Sequence, residues 1–395
     1  MELKGKDLKV LVTGGTGFIG ARLIEALVVK RGVQVVAAVR DFSKVARIAR
    51  LGVKLARTDF WKPDAFEGLL RGIDVVFHCA FAPLNDAVKM RSVNLEATLA
   101  LARLAKQEGV KRFVHFSSMA VYGQELPPQV NEQTPYRPTT GYGRAKCDVE
   151  LAVREFGRTS GLSVVTVQPT KVYGPYDYNF TVPLVKKLLD GKLWLIEGGS
   201  GLVSPGYVDN VVDGTLLSAE VDGAGGGVFI LADGPSLQWS EFYEYFAAMC
   251  QMRPYGTITR QECEPVWQAH SRKPSYRSLL ASTFLSKEAR AAYPTYRFFR
   301  LLRRACPERL VRRLKTQFPS ALEKTEINTS EVLEPPSPYE YRDYMRCGAF
   351  STEHAQRVLG YNPKVRITEG MARVEAWLRY ARILPDAVEA TRSPD

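Results

Sequence analysis

Tyr142 and Lys146 stand four residues apart in Tyr142-Gly-Arg-Ala-Lys146, a spacing that sets a phenol and an ammonium on one face of a helix. A free phenol has a pKa of about 10, so alone it is a poor proton acceptor at neutral pH. An ammonium ~4 Å away, at an effective dielectric of about 20, is worth about 4 kcal/mol, or about three pKa units before desolvation subtracts from it. The pair therefore predicts proton transfer at an oxygen atom near neutral pH. A hydroxyl to hold that oxygen is offered by Phe116-Ser117-Ser118-Met119. Ser118 takes that role, with Ser117 as the second candidate.

The segment Thr13-Gly14-Gly15-Thr16-Gly17-Phe18-Ile19-Gly20 joins an apolar run to a stretch of helical spacing. Residues without Cβ let the backbone turn tightly and approach a pyrophosphate lying at the positive end of a helix. This predicts a dinucleotide held by Gly14, Thr16, Gly17, Phe18, Ile19 and Gly20. Where an NAD enzyme would set an acid against the ribose, this chain has Arg40, then Asp41 and Lys44. A guanidinium pairs with a 2′-phosphate, so NADP is expected over NAD, with Arg40 and Lys44 beside it. Thr58-Asp59-Phe60 ends a third run; Asp59 could meet the adenine amino group or cap a helix. Phe60, Ala80, Ser117 and Pro169, with Tyr142 and Lys146, complete the expected cofactor set.

These residues need elements to position them. Residues 8–13 read as a buried strand, Phe18–Lys30 as a helix and 33–39 as a second strand. The alternation continues through a strand at 74–79, a helix at 92–108, a strand at 112–117, a helix at 141–156 and a strand at 163–168. Near-continuous apolar strands separated by helices indicate an α/β fold, a doubly wound parallel sheet covered on both faces. After Pro169 the rhythm loosens and returns at 208–219 and 227–232. The expected division is a dinucleotide-binding Rossmann domain at 1–178, to which 206–222 returns, and a smaller interleaved C-terminal substrate lobe at 179–395. The stretch 251–344 has no clean period. Within it, 297–315 holds eight basic residues against one acid, with apolar residues at helical spacing around Pro307. Two short basic amphipathic helices fit, either as a solvated face or as a peripheral contact with an anionic membrane surface.

The composition sets outer bounds. A chain of 395 residues, 45% hydrophobic, can bury a large core. The formal charge of +12 favours anionic partners without specifying a fold, and no nucleic-acid module accompanies it. Six scattered cysteines and four isolated histidines suggest neither a disulfide framework nor a metal site. No apolar run reaches the roughly 18 residues of a bilayer-spanning helix, and the chain enters a strand within its first residues, so a cytoplasmic location is expected.

The joint pattern resembles the extended short-chain dehydrogenase/reductases of the NAD-dependent epimerase/dehydratase superfamily. It comprises the glycine turn, Ser117-Ser118 before Val121-Tyr122-Gly123, the Tyr142/Lys146 pair and Val172-Tyr173-Gly174-Pro175, over roughly residues 8–235. Phe350-Ser351 and Leu359-Gly-Tyr-Asn-Pro363 look like the family's closing segment. The resemblance implies that Ser118 positions a carbonyl or alcohol and Tyr142 transfers the proton. Lys146 lowers the phenol's pKa and binds the nicotinamide ribose, Asn94 is the helix asparagine near the site, and two copies form a dimer through helices including 141–156.

Two departures narrow the substrate. Leu202-Val-Ser-Pro205 lacks the Arg with which nucleotide-sugar members grip a diphosphate, and Met119-Ala120 replaces the acidic pair of the dehydratases. The wording Tyr207-Val-Asp-Asn-Val-Val212 is closest to the 3β-hydroxysteroid dehydrogenase branch, which implies hydride transfer between nicotinamide and a lipophilic secondary alcohol or ketone. A sugar epimerase with tightly bound NAD and a non-catalytic cofactor sensor are the alternatives. A third departure is Gln168 before Pro169, where many relatives carry Arg, at the expected floor of the nicotinamide site.

Overall fold

The computed structural model describes residues 2–59, 66, 68–252, 256–271 and 336–384. The chain divides into two compact units, Met1–Ile258 with Tyr339–Asp395, and Thr259–Pro338. Phe60 and the basic segment 297–315 lie outside the described residues. Of the second unit, the helix Arg260–Ser271, with Pro265 inside it, is described.

The first unit opens with β1 (Lys9–Thr13), α1 (Phe18–Glu25, continued by a π turn to Lys30), β2 (Gln34–Val39), α2 (Ala46–Ala49), β3 (Lys54–Arg57) and β4 (Val75–His78). There follow α3 (Ala87–Gln107), β5 (Arg112–Phe116), β6 (Gln129–Val130), α4 (Gly141–Ser160), β7 (Val164–Pro169) and β8 (Lys171–Tyr173). Then come α5 (Thr181–Leu189), β9 (Leu195–Ile196), β10 (Leu202–Val203), β11 (Pro205–Tyr207), α6 (Val208–Glu220) and β12 (Val228–Leu231).

Seven strands form one sheet in the order β12-β7-β5-β4-β1-β2-β3, every pairing parallel. This is the doubly wound α/β fold, with its reversal of strand order between β1 and β4. Side chains of β1 alternate between the two faces, as a pleated strand requires. Val10 and Val12 join Leu23 and Leu27 of α1 and Val211 and Leu216 of α6 in one core. Leu11 joins Leu101 and Ala102 of α3 and Val153 of α4 in the other. Each such side chain removed from water stabilises the fold by about 1.5–3 kcal/mol, so both faces of the strands must be apolar. A third core gathers Tyr173, Trp239, Phe242, Tyr243, Phe246 and Trp377 beyond the carboxyl ends of the strands.

In open parallel sheets, ligands bind outside the carboxyl ends of the strands at the reversal point. Here β1, β4 and β5 are neighbours, so the loops after Thr13, His78 and Phe116 emerge side by side.

Candidate active site

The turn after β1 brings six expected cofactor residues together. Gly14 has φ +69°, and a Cβ there would lie 2.8 Å from the Ala80 backbone nitrogen, so only glycine lets the β1 and β4 ends meet this closely. Gly17 N-caps α1 with no side-chain hydrogen bond and no acid in the first turn, which leaves the first turn's N–H groups and the positive helix end for an anion. Thr16 lies in the turn, and Phe18, Ile19 and Gly20 begin the helix. Ala80 donates its N–H to the Thr13 hydroxyl at 3.3 Å. Arg40 and Lys44 are exposed just past β2, and Asp59 is half-buried just past β3. Pro169 closes β7 opposite Leu231.

Helix α4 delivers the reacting pair. Thr140 caps it by accepting the Gly143 N–H at 2.9 Å. A Cβ on Gly143 would lie 2.6 Å from the Ala120 carbonyl oxygen, so this glycine lets the first turn of α4 press against the turn that carries Ser118. The Ser118 hydroxyl accepts the Ala120 N–H at 3.2 Å and stands near enough to Tyr142 to act on its phenol. Tyr142 remains 40% exposed, as a group that must meet a substrate should. Its phenol is held above the ordinary value: desolvation raises it and the Ser118 hydrogen bond opposes the rise.

The Lys146 side chain turns elsewhere. It is buried, donates from Nζ to the Phe116 carbonyl at 2.8 Å and stands 4.5 Å from the centre of the Phe81 ring. Burial pushes the ammonium down to about 8, partly offset by Cys79 and Glu150. The protein therefore supplies a lysine close to losing its charge, with the phenol still protonated.

Ser117 directly follows β5. It is buried, and its Oγ has no hydrogen-bond partner among the described residues. A buried hydroxyl left without a partner at the carboxyl end of the sheet fits a bound cofactor, because such groups are costly to leave unmade.

Asn94 of α3 spends its whole amide on backbone: Oδ1 accepts the Ala82 N–H at 2.8 Å, and Nδ2 donates to the carbonyls of Ala82 and Met90 at 3.0 and 2.7 Å. It clamps the loop after β4. That loop carries Phe81, which sequence reasoning passed over; its ring meets Tyr142 edge-on, with centroids 5.1 Å apart. An aromatic residue in the loop after β4 was the available signal. Tyr339, half-exposed, also acts electrostatically on Tyr142. It is tied in by its carbonyl, which accepts from Gln124 at 3.2 Å, and no spacing pointed to it.

Gln168, which stands where many relatives carry Arg, is spent on buried partners. It donates to both carboxylate oxygens of the buried Glu150, at 3.1 and 2.9 Å, and accepts from Tyr122 at 2.7 Å. Beneath the site, His78 bridges Thr13 and Thr98 at 2.8 and 2.9 Å and stacks on His115 at 5.7 Å. Burial holds His78 down at about 3 and His115 well below its usual value, so both are neutral.

Comparison with known proteins follows the same lines. Residues 10–232 match the family described as NAD dependent epimerase/dehydratase. The chain is 33% identical over 243 residues to a 4-hydroxy-2-methyl-3-oxo-4-farnesyl-3,4-dihydroquinoline-1-oxide ketoreductase of Stigmatella aurantiaca, an alignment covering 60% of this chain and 71% of that one. It is 28% identical to a 3-beta-hydroxysteroid dehydrogenase of Mycolicibacterium neoaurum, over 61% of this chain and 70% of the relative. Among solved structures, a UDP-glucose 4-epimerase of Thermotoga maritima with UDP-glucose superimposes with a TM-score of 0.67 at 18% identity, covering 95% of this chain and all of that one. At that identity the likeness is one of fold.

Proposed function

Because this chain belongs to the NAD dependent epimerase/dehydratase family and is an NAD(P)-dependent enzyme of the short-chain dehydrogenase/reductase type, we propose that it interconverts a lipophilic ketone and its secondary alcohol, using NADP. The observation that carries this reading is the hydroxyl pair Ser118 and Tyr142 at the carboxyl end of β5.

In the reducing direction the Ser118 hydroxyl donates to the substrate's carbonyl oxygen. Tyr142 then gives its phenolic proton to that oxygen as negative charge develops on it. When bound, the nicotinamide supplies the hydride from C4. Lys146 holds the nicotinamide ribose and keeps a positive charge near the phenolate left behind. The first turn of α1, with Gly14, Thr16, Gly17, Phe18, Ile19 and Gly20, holds the diphosphate. Ser117, Ala80 and Pro169 line the nicotinamide end. Asn94 positions the loop after β4.

Arg40 and Lys44 support NADP: both are exposed cations just past β2, where a 2′-phosphate would lie, and Asp59 is assigned to the adenine. The aromatic neighbours of Tyr142, Phe81 and Tyr339, support a lipophilic substrate, as do the ketoreductase and steroid dehydrogenase relatives. We assign the residues beyond 178 to a substrate lobe, with 206–222 returning to the sheet. The half-exposed Leu151 of α4 lies on a face suited to pairing two copies. No helix of the described residues is long and apolar enough to cross a membrane.

The direct test is NADPH consumption with a panel of long-chain and steroidal ketones, run beside epimerisation of UDP-glucose. Turnover of ketones is expected; turnover confined to the sugar nucleotide would replace this reading with the epimerase alternative.

A further inference from the structure

A second built feature stands next to the reacting hydroxyls. Met119, which follows Ser118 in the chain, lines a small cavity together with Lys171, Ser204, Trp239, Asp343 and Arg346. Its free volume is about 10 Å³, on the measure by which one water needs roughly 10–15 Å³. It therefore admits a single oxygen atom.

The wall of this cavity is rich in donors. Trp239 is 2% exposed and Arg346 6% exposed. The indole Nε1 of the first and the Nε of the second have no hydrogen-bond partner among the described residues. Both groups can only donate. Lys171 adds a third donor and a second cation, held over the rings of Phe180 and Trp239 at 5.0 and 5.7 Å. Against these stands the carboxylate of Asp343, bonded to Arg346 at 2.7 Å and lying 3.5 Å from Lys171. Two cations and one anion leave a net positive charge in a largely buried place, with two N–H groups unmatched. Such an arrangement is costly unless an acceptor, preferably anionic, completes it.

We infer that this cavity is a substrate subsite for one negatively charged oxygen, most simply of a carboxylate carried by the lipophilic substrate, received by Trp239 and Arg346. The inference rests on the ketone-reducing role proposed above for its place in the reaction, though not for the binding itself. It gives the substrate a defined polarity: an apolar body against Phe81 and Tyr339, and a charged end beyond Met119.

The test uses the full chain with NADP bound and two probes that cannot react as ketones, decanoate and decan-1-ol. Decanoate is expected to bind at least about tenfold more tightly, since a hydrogen bond to a charged group is worth that much or more. Trp239→Phe keeps the ring, removes the donor and is expected to weaken decanoate by about tenfold while moving decan-1-ol far less. Arg346→Gln should weaken decanoate further. Equal binding of the two probes would overturn the subsite, as would equal losses for both in Trp239→Phe, or a crystal structure with a water in the cavity and the decanoate carboxylate elsewhere. If no ketone is reduced but decanoate binding depends on Trp239, the proposed function fails and the subsite stands. Turnover of ketones with no preference for oxo acids and no carboxylate binding would leave the opposite result.

Discussion

The ammonium of Lys146 stands 4.5 Å from the centre of the Phe81 ring, so the cation assigned to the proposed proton-transfer chemistry is shared between an aromatic face and the Phe116 carbonyl. A desolvated cation over a ring gains about 2 kcal/mol, which is about one and a half pKa units. Phe81→Leu keeps bulk and removes that attraction, so the neutral lysine becomes easier to form. The pH at which NADPH affinity falls, near 8 in the parent by the lysine's depressed pKa, is expected to move down by about one and a half units, and Phe81→Tyr should restore it. An unmoved profile in Phe81→Leu would mean that the ring is only packing.

In the proposed assignment, cofactor choice turns on Arg40, exposed just past β2. Arg40→Asp removes the guanidinium and places a carboxylate where a ribose hydroxyl could donate to it. The ratio of NADPH to NADH affinity is expected to fall by at least about tenfold, the worth of one charge-assisted hydrogen bond. Binding measured by nicotinamide fluorescence decides it, and an unchanged ratio removes Arg40 from the assignment.

The neutral histidines beneath the site couple stability to pH. His115 is held well below its free value by burial, so the unfolded chain takes up a proton near pH 6.5 that the folded chain refuses. The stability this represents is complete above pH 6.5 and is lost as pH falls below it. Both ring nitrogens of His115 lack hydrogen-bond partners among the described residues, so His115→Phe should fold. Between pH 7 and pH 4 that variant is expected to lose less stability than the parent. Urea titrations at the two pH values measure the difference, and equal losses would show that His115 titrates freely.

Much of this was legible in the sequence because it rests on local signals. The apolar runs that predicted strands at 8–13, 112–117 and 163–168 correspond to β1, β5 and β7, since strands buried on both faces need apolar residues throughout. The glycine turn was legible for a similar reason: Gly14 must pass against Ala80, and no other residue type fits. Contacts formed between distant segments were not legible. Nothing near Phe81 announces that its ring will cover Lys146, and nothing near Arg346 announces Trp239 across the same cavity. The direction of the Lys146 side chain also escaped the sequence. The i,i+4 spacing fixes a shared face, but the Phe116 carbonyl and the Phe81 ring decide where the ammonium goes. Gln168 stood out in the sequence as a departure from the relatives' Arg, but its partner Glu150 was not visible there.

The most direct measurement is a single turnover of a bound lipophilic ketone by Tyr142→Phe with NADPH, beside the parent protein. The account predicts that NADPH binds both proteins alike while reduction slows by about 10²–10⁴-fold in the variant, the usual contribution of a positioned proton donor. Reduction at the parent rate by Tyr142→Phe would contradict it.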